Sequence, residues 1–582
     1  MLVPSTTVAA ALRRLSIQRR HLNRRTLFPR FTSSSSSAAK EHYDVLIVGG
    51  GAVGSSMANA LRHAGAVSSI GVLEFRGAPP PLSAYIDDSE NKQNKGNPNA
   101  RAYALSPASL ELINNGSSFC NPRSSTASSS AASHDASPAA GPIARLDEMG
   151  RVAWYDSMQI WESDGPATLH FSNDDLSTES IDPYKAMDTS SADGAGYQDV
   201  LGAVIEDGPL VSALWNEMQN SNDDGVDFIC NAAIKSIVAP SPNHASRGLA
   251  PPKPVELTYQ VHNAVPEADS KGHPLTKTIT ADLLVAADGG NSTVRRMLGM
   301  PTVGFGYGRR AVTCTVKVDG SMGRTAYQRF MPNGPMALLP VWSEGDDIYA
   351  NIVWSTTPSV ASDLQQLSEE DFVRELNDCM QSGPVNTQSL FPSDLVDSIL
   401  PGPLAGIAKV VDYLARGAND GLTMSRWSES RPFGLPPTMS SVVGPRLAFD
   451  LSLSQARSYV APRVALVGDA AHTVHPMAGQ GLNLGIGDVD CLVRHIRSAM
   501  SSGMDPGGTM HFLNQYDSER KAEVSATLGG IHALHNMFGT TFSPAVYVRS
   551  LGMNLVNAAG PVRRRLAEVA AGRRGALPGL SK

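Results

Sequence analysis

The stretch YDVLIVGGGAVG, running from Tyr43 to Gly54, decides the fold. Its first six residues form a nearly continuous apolar run, the pattern of a strand buried on both faces rather than one alternating between core and water. Glycines end the run, and a helical pattern follows to about His63, with Gly65 placed to stop it. Ile70 to Leu73 is a second apolar strand ending at Glu74, so residues 43 to 74 read as a βαβ-like beginning. Within Gly49-x-Gly51-x-x-Gly54 each glycine has a task. Gly49 makes the tight turn, Gly51 lets the backbone approach a pyrophosphate at the helix N-terminus, and Gly54 permits close helix packing. Glu74 stands twenty residues beyond Gly54, where a carboxylate can accept hydrogen bonds from adenosine ribose hydroxyls. A carboxylate there opposes a ribose phosphate, so FAD or NAD is expected rather than NADP. A glycine triplet alone would mark only a turn; strand, helix and acid together carry the dinucleotide reading.

Two later passages repeat the strand-then-glycine pattern. In LLVAADGGNSTVRRMLG, Leu283 to Gly299, the residues Asp288, Gly289, Ser292 and Arg295 form a strand-end D-G-x-x-S-x-x-R, which a turn followed by a capped helix would also explain. In RVALVGDAAHTVHPMAGQGLNLGIGD, Arg463 to Asp488, a buried strand delivers Gly468 and Asp469, and a glycine-rich loop from Gly479 to Asn483 opens a helix. Asp469 is placed to accept from flavin ribityl hydroxyls, and the loop amides of Gly479, Gln480, Gly481, Leu482 and Asn483 can face anionic density on an isoalloxazine. Asp469, His472 and His475 have metal-ligand spacing, but the same stretch must lay a glycine loop against a flavin, so no metal is expected.

The rest of the 582-residue chain bounds the answer. That length exceeds one core, and 42% apolar with 18% charged residues is globular composition, which excludes a small binding module and wholesale disorder. Forty-eight basic against fifty-five acidic side chains offer no broad basic surface, so nucleic acid is excluded as a partner. Residues 1 to 40 are the exception, with seven Arg and Lys40 and no acid. Val8, Leu12, Leu15 and Leu22 fall on one helical face opposite Arg13, Arg14, Arg20 and Arg24, and a serine run follows: the build of a mitochondrial transit peptide. The five cysteines are scattered and odd in number, giving neither a disulfide framework nor a thiolate zinc site. No apolar run is long enough to span a bilayer, so any membrane contact is peripheral.

Short β-rich pieces at Met158 to Trp161, Val226 to Cys230, Val255 to Val261, Ala311 to Val318 and Ile348 to Trp354 predict a second, mixed or antiparallel sheet. A helix is predicted from Asp207 to about Gln219, and Ser368 with Asp371 marks another as a capping box. Ser117 to Gly141 and Ser163 to Gly196 read as low-complexity surface decoration. The expected division is therefore a transit peptide over 1–40; a discontinuous cofactor domain of 41–155, 281–300 and 441–500; a substrate domain of 156–280 and 301–440; and a helical region over 501–582. Phe330, Met331 and Met336 could border an aromatic substrate or simply fill the sheet core.

The three motifs, in this order and separation, resemble the aromatic-hydroxylase class of FAD monooxygenases with the p-hydroxybenzoate hydroxylase fold. RAYALSPASLELI at Arg101 to Ile113, AYQRFMPNGPMALLPVW at Ala326 to Trp342 and AHTVHPMAGQGLNLGIGDVDCL at Ala471 to Leu492 resemble the ubiquinone-biosynthesis hydroxylases, over roughly residues 42 to 575 apart from the insertions. The resemblance implies an α/β fold: a Rossmann-like FAD-binding domain, an interleaved mixed β-sheet substrate domain and a helical C-terminus. It implies that Gly49, Gly51, Gly54 and Glu74 hold the ADP half of FAD, that Arg101 lies near the phosphates, that Asp288 lines the pyrophosphate region, and that Asp469 with Gly479 to Asn483 holds ribityl chain and flavin ring. The flavin then activates dioxygen and delivers one oxygen atom to an electron-rich phenol, with no obligatory Ser, Cys or metal catalyst.

The resemblance further implies a polyprenylated 4-hydroxybenzoate substrate, hydroxylated at ring position 5 and, for fungal-type members, also at position 1. Only one strand-associated glycine fingerprint is present, so electrons must arrive by transient docking of a reductant or from another protein; the resemblance implies the latter, with NADPH as the ultimate donor through ferredoxin reductase and ferredoxin. Other subunits of a ubiquinone-biosynthesis complex and peripheral, matrix-side contact with the mitochondrial inner membrane are the remaining implied partners. Two other readings stay open: a single-component NAD(P)H hydroxylase of a soluble phenol, and a non-catalytic flavin-fold scaffold of a biosynthetic complex.

Overall fold

A computed structural model describes residues 42–85, 100–116, 141–173, 200–220, 226–240, 253–262, 276–344, 347–384, 433–474, 479–507 and 510–558, with 562, 564, 565 and 568. The leader, most of Ser117 to Gly141, residues 174 to 196 of the second decorated stretch, and His475 lie outside the described residues.

The apolar run of the fingerprint becomes the strand His42–Val48, central in an eight-stranded sheet. Parallel neighbours flank it, Thr276–Ala286 on one side and Ile70–Leu73 on the other, and these continue to Val464–Leu466 and Val226–Ile229 respectively. Val45, Leu46, Ile47, Leu283, Leu284 and Val285 are fully buried, as strands covered on both faces must be. The helix Ala52–Ala64 follows the glycines and stops at Gly65, whose φ of 56° is the left-handed C-cap that glycine adopts without strain.

The second eight-stranded sheet runs from His472–Thr473 through Thr438–Ala456, Thr302–Asp319, Asp347–Thr356, Met336–Glu344, Thr325–Phe330 and Ser157–Glu162 to Thr168–Ser172. It is antiparallel except where Thr325–Phe330 meets Ser157–Glu162. Val312, Cys314, Val316, Leu338 and Ile352 pack against Leu364, Phe372 and Leu376 of the helices Pro358–Gln366 and Glu369–Met380. A small sheet of Ala102–Leu105, Gly202–Glu206 and Ala153–Tyr155 lies against it through Val204, Trp342 and Tyr349. The predicted helix after Asp207 spans Asp207–Asn220, and Ser368 caps Glu369–Met380 by accepting from the Asp371 amide at 3.1 Å. C-terminal helices Gln480–Ser501, Met510–Gly539 and Ser543–Ala558 complete the α/β architecture.

Three expectations change. Val226–Ile229 and Val255–Val261, expected in the substrate region of 156–280, belong to the first sheet: one pairs in parallel with Ile70–Leu73, the other antiparallel with the start of Thr276–Ala286. Alternation along a strand reports burial but not which sheet supplies the partner. Conversely, Thr438–Ala456, expected in part within the cofactor region, is the main partner of Thr302–Asp319 in the second sheet. Finally, part of Ser163 to Gly196 is not surface decoration. Thr168–Ser172 is a strand whose alternate residues Leu169 and Phe171 are buried with Phe330, Ile531 and Phe538.

Candidate functional site

Three parallel strands end side by side. Val48 pairs with Ala286, and Ala286 with Leu466, so Gly49, Asp288 and Gly468 emerge from one carboxyl edge although far apart in sequence. In parallel sheets this edge is where ligand crevices form. Glu74 leaves the same row from the next strand, where Leu73 pairs with Val48.

At the fingerprint, Gly49 has φ of 105° and lies against the Ala287 carbonyl, so a side chain is excluded twice over. A Cβ at Gly54 would collide with the Gly49 carbonyl oxygen, whereas one at Gly51 would meet nothing within 4 Å. Gly51 therefore opens onto free space at the start of Ala52–Ala64, a helix with no side-chain cap and no acid in its first turn. Its amides are left for an anion. Glu74 accepts from the Gly50 amide at 2.6 Å and the Arg76 amide at 2.8 Å, pinning the glycine turn while keeping further lone pairs free. Trp215 Nε1 donates to the Gly50 carbonyl at 2.9 Å and closes the turn from the other side.

The second motif is a clasp between strand ends. Asp288 Oδ2 accepts from the Thr293 and Val294 amides at 2.7 and 3.1 Å, and Ser292 caps the short helix Thr293–Met297. Capping thus explains half the motif; Asp288 Oδ1 is left buried without a hydrogen-bond partner. Arg295, itself buried, donates to the carbonyls of Ala470 at 2.6 Å and Gly290 at 2.8 Å, tying the second motif to the third beside Asp469.

Asp469 lies on a single 3₁₀ turn, open at the bottom of the crevice. Surrounding protein displaces water from its carboxyl and raises its pKa above the ordinary value, against the opposing charges of His472 and Arg101. Arg101 stands opposite; Tyr103, Asp207 and Asp469 more than offset its own desolvation and hold it firmly protonated. Gly479, at φ of 61°, opens the helix Gln480–Ser501, again with no side-chain cap. Gln480 and Gly481 are half-buried in its first turn, and Leu482 points into the core. The Asn483 side chain is committed to protein backbone: Oδ1 accepts from Ser106 at 2.9 Å, and Nδ2 donates to Ala104 at 2.9 Å and Gly479 at 3.2 Å. It pins the glycine loop to the strand that follows Arg101.

Sequence reasoning missed the support beneath the loop. Asp488, fully buried, accepts from the Gly468 amide at 2.8 Å, His472 Nε2 at 2.7 Å and Arg520 Nε at 2.7 Å, and Arg520 also reaches the Leu484 carbonyl at 3.1 Å. Burial alone would raise the Asp488 carboxyl, yet His472 and Arg520 bring it below its ordinary value. His472 Nε2 is thus committed to Asp488. The available signal was an acid in an otherwise apolar stripe, where Leu484, Asp488 and Leu492 recur every four residues. Phe330 and Met336 are core: Phe330 stacks on Phe538 at 3.9 Å, and Met336 is fully buried.

Comparison with known proteins agrees with this geometry. The profile of a family described as an FAD binding domain matches residues 258–393 and 440–529. The chain is 30% identical to the mitochondrial ubiquinone biosynthesis monooxygenase COQ6 of Danio rerio, over 71% of this chain and 72% of that protein. With its Xenopus tropicalis counterpart it shares 29% identity over 90% of this chain and 92% of the other. Among solved structures, p-nitrophenol 4-monooxygenase PnpA from Pseudomonas putida DLL-E4 shares the fold, with TM-score 0.54 and 17% identity over 92% of this chain and all of that one.

Proposed function

The chain belongs to the ubiquinone biosynthesis monooxygenase COQ6 family and is an FAD-dependent aromatic-ring monooxygenase; from that premise we propose that its substrate is a polyprenylated 4-hydroxybenzoate-type intermediate. The ring is hydroxylated at position 5, and in the manner of fungal-type members also at position 1. NADPH is the electron source, through ferredoxin reductase and ferredoxin. The observation that carries the reading is the convergence of three glycine-ended strands on one sheet edge, with a single dinucleotide fingerprint among them.

The residues present fit FAD. Gly51 projects no side chain into open space, both glycine-started helices lack side-chain caps, and Asp288 Oδ1 awaits a partner. In this reading Gly49, Gly51 and Gly54 admit the diphosphate to the helix start, Glu74 accepts from ribose, and Arg101 neutralises phosphate. Asp288 lines the pyrophosphate, Asp469 accepts from ribityl hydroxyls, and the amides of Gly479 to Asn483 face the flavin ring. When bound, the flavin activates dioxygen, inserts one atom into the substrate and releases the other as water. The protein's part is to orient the ring and exclude water, with the first sheet holding cofactor and the second bordering substrate.

The reading extends to place: leader-directed entry to the mitochondrion, and peripheral association with the matrix face of the inner membrane beside other biosynthetic subunits. The relatives are named mitochondrial, and no helix among the described residues is long and apolar enough to cross a membrane. Cells lacking the protein should accumulate a polyprenylated ring intermediate one hydroxyl short of the next, read by mass analysis of extracted quinones; an unchanged quinone profile overturns the proposal. Rapid flavin reduction by NADPH alone would instead favour a single-component hydroxylase.

A further inference from the structure

We propose that Cys491, His495 and Glu519 form a binding site for Zn²⁺ that staples the helix Gln480–Ser501 to the helix Met510–Gly539. Cys491 and His495 stand four residues apart on the first helix, so their side chains lie one above the other on one face, and Glu519 meets them from the second. One ligand atom from each lies within 4.8 Å of the other two. His495 Nε2 and Glu519 Oε2 are 3.3 Å apart, the separation that nitrogen and oxygen hold across a tetrahedral angle when both bond zinc at about 2.0 Å. The scattered cysteines make no multi-thiolate cluster, and none is needed. One thiolate, one imidazole and one carboxylate, with a water in the fourth position, make a tetrahedral zinc site.

Neighbouring groups orient the carboxylate and balance the charge. Arg494 Nη2 donates to Glu519 Oε1 at 2.6 Å, leaving Oε2 turned to the imidazole, and Asp490 Oδ2 accepts from Arg494 Nε at 3.3 Å. Hydrogen bonds of this kind to the unused oxygen fix a ligating carboxylate. Those from His495 and Arg494 hold the Glu519 carboxyl well below its ordinary pKa, so it is ionised and ready to coordinate. Cys491 is fully buried at the floor of the site; burial, then the Glu519 charge, raises its thiol pKa against the opposing charges of Arg494 and Arg520. Zinc therefore displaces the thiol proton to solvent as the metal–sulfur bond forms. With thiolate, Glu519 and Asp490 set against Arg494, the ligated site is net negative and a divalent cation neutralises it, while Arg520 is balanced by Asp488. The Glu519 side chain is 41% exposed and that of His495 14%, which gives the ion an entry from the surface.

Position gives the site its use. Asp488 and Arg520, which brace the glycine loop, lie on the same two helices, the first about one turn before Cys491 and the second next to Glu519. A metal held by both helices fixes their spacing at the brace while staying out of the crevice itself. Sulfur and nitrogen donors select against Mg²⁺ and Ca²⁺, which take oxygen ligands.

The experiment is spectroscopic and independent of turnover. The FAD-loaded full chain, freed of metal with EDTA and desalted, is titrated with Co²⁺, whose d–d bands fall to the red of the flavin absorbance and are intense only in tetrahedral coordination. A single equivalent should saturate those bands, Zn²⁺ should bleach them at the same stoichiometry, and excess Mg²⁺ should not. Zinc should also raise Tm, further with each tenfold step in free ion. His495→Gln and Glu519→Gln, both at the accessible side, should each weaken cobalt binding by about 10-fold or more at unchanged flavin content. Cys491→Ala should remove the thiolate-to-cobalt charge-transfer band from the difference spectrum, whereas Cys230→Ala, another free cysteine, should bind as wild type. A wild type without a tetrahedral cobalt spectrum overturns the proposal, and so do His495 and Glu519 variants that bind the ion as tightly as wild type.

Discussion

The two large sheets solve opposite problems. The first leaves its carboxyl edge empty and builds the candidate site from backbone: glycines without side chains, helix starts without caps, and carboxylates aimed at amides. The second fills its faces with Val312, Ile352, Trp354, Phe372 and their neighbours, so its information lies in shape and volume. The difference is one of tolerance. Where backbone makes the site, one added carbon is decisive; where packing makes the core, cost follows the volume lost.

Two neighbouring glycines break or sharpen that contrast most strongly. Gly54→Val places a carbon against the Gly49 carbonyl, so the chain should fail to yield soluble folded protein at all, read by expression and gel filtration. Gly51→Val points into open space, so apoprotein Tm should hold within a few degrees while FAD is no longer retained, read by absorbance at the flavin band. Retained flavin in the Gly51 variant would break the assignment of that space.

Next in size, Asp488→Asn removes the fully buried partner of Arg520, leaving it only the half-exposed Glu523, and should cost about 3 kcal/mol by denaturant titration. The Asp488 pKa is depressed in the folded state, so its contribution is full above the ordinary carboxylate range and fades as pH falls through its lower folded value. The gap between wild type and variant should therefore narrow only below about pH 4. Smallest is Ser368→Ala on the second sheet's covering helix, where losing the cap bond to Asp371 should cost about 1 kcal/mol and leave flavin binding untouched.

The strand-then-glycine passages were legible because each is local: apolar run, glycine and helix pattern lie within a few residues. Their meeting on one edge followed from parallel topology. The sheet that Val226–Ile229 and Val255–Val261 would join was not legible, because a short alternating strand carries no record of its neighbour. Thr168–Ser172 hid in a polar context although Leu169 and Phe171 alternate. Asn483 was read for its loop amide; that its side chain ties the loop to Ala104, Ser106 and Gly479, the first two nearly four hundred residues away, was not legible. Asp488 and Arg520 became visible as a pair only once their helices were packed.

Arg520 holds one further lesson. It braces the loop from a helix near the chain's end, after every strand of the crevice has been made. The brace comes into being only with residue 520, thirty-seven residues after the last position of the glycine loop, Asn483. A stop codon shortly before position 520 leaves every glycine of the crevice encoded, yet the product lacks the support that keeps them in place.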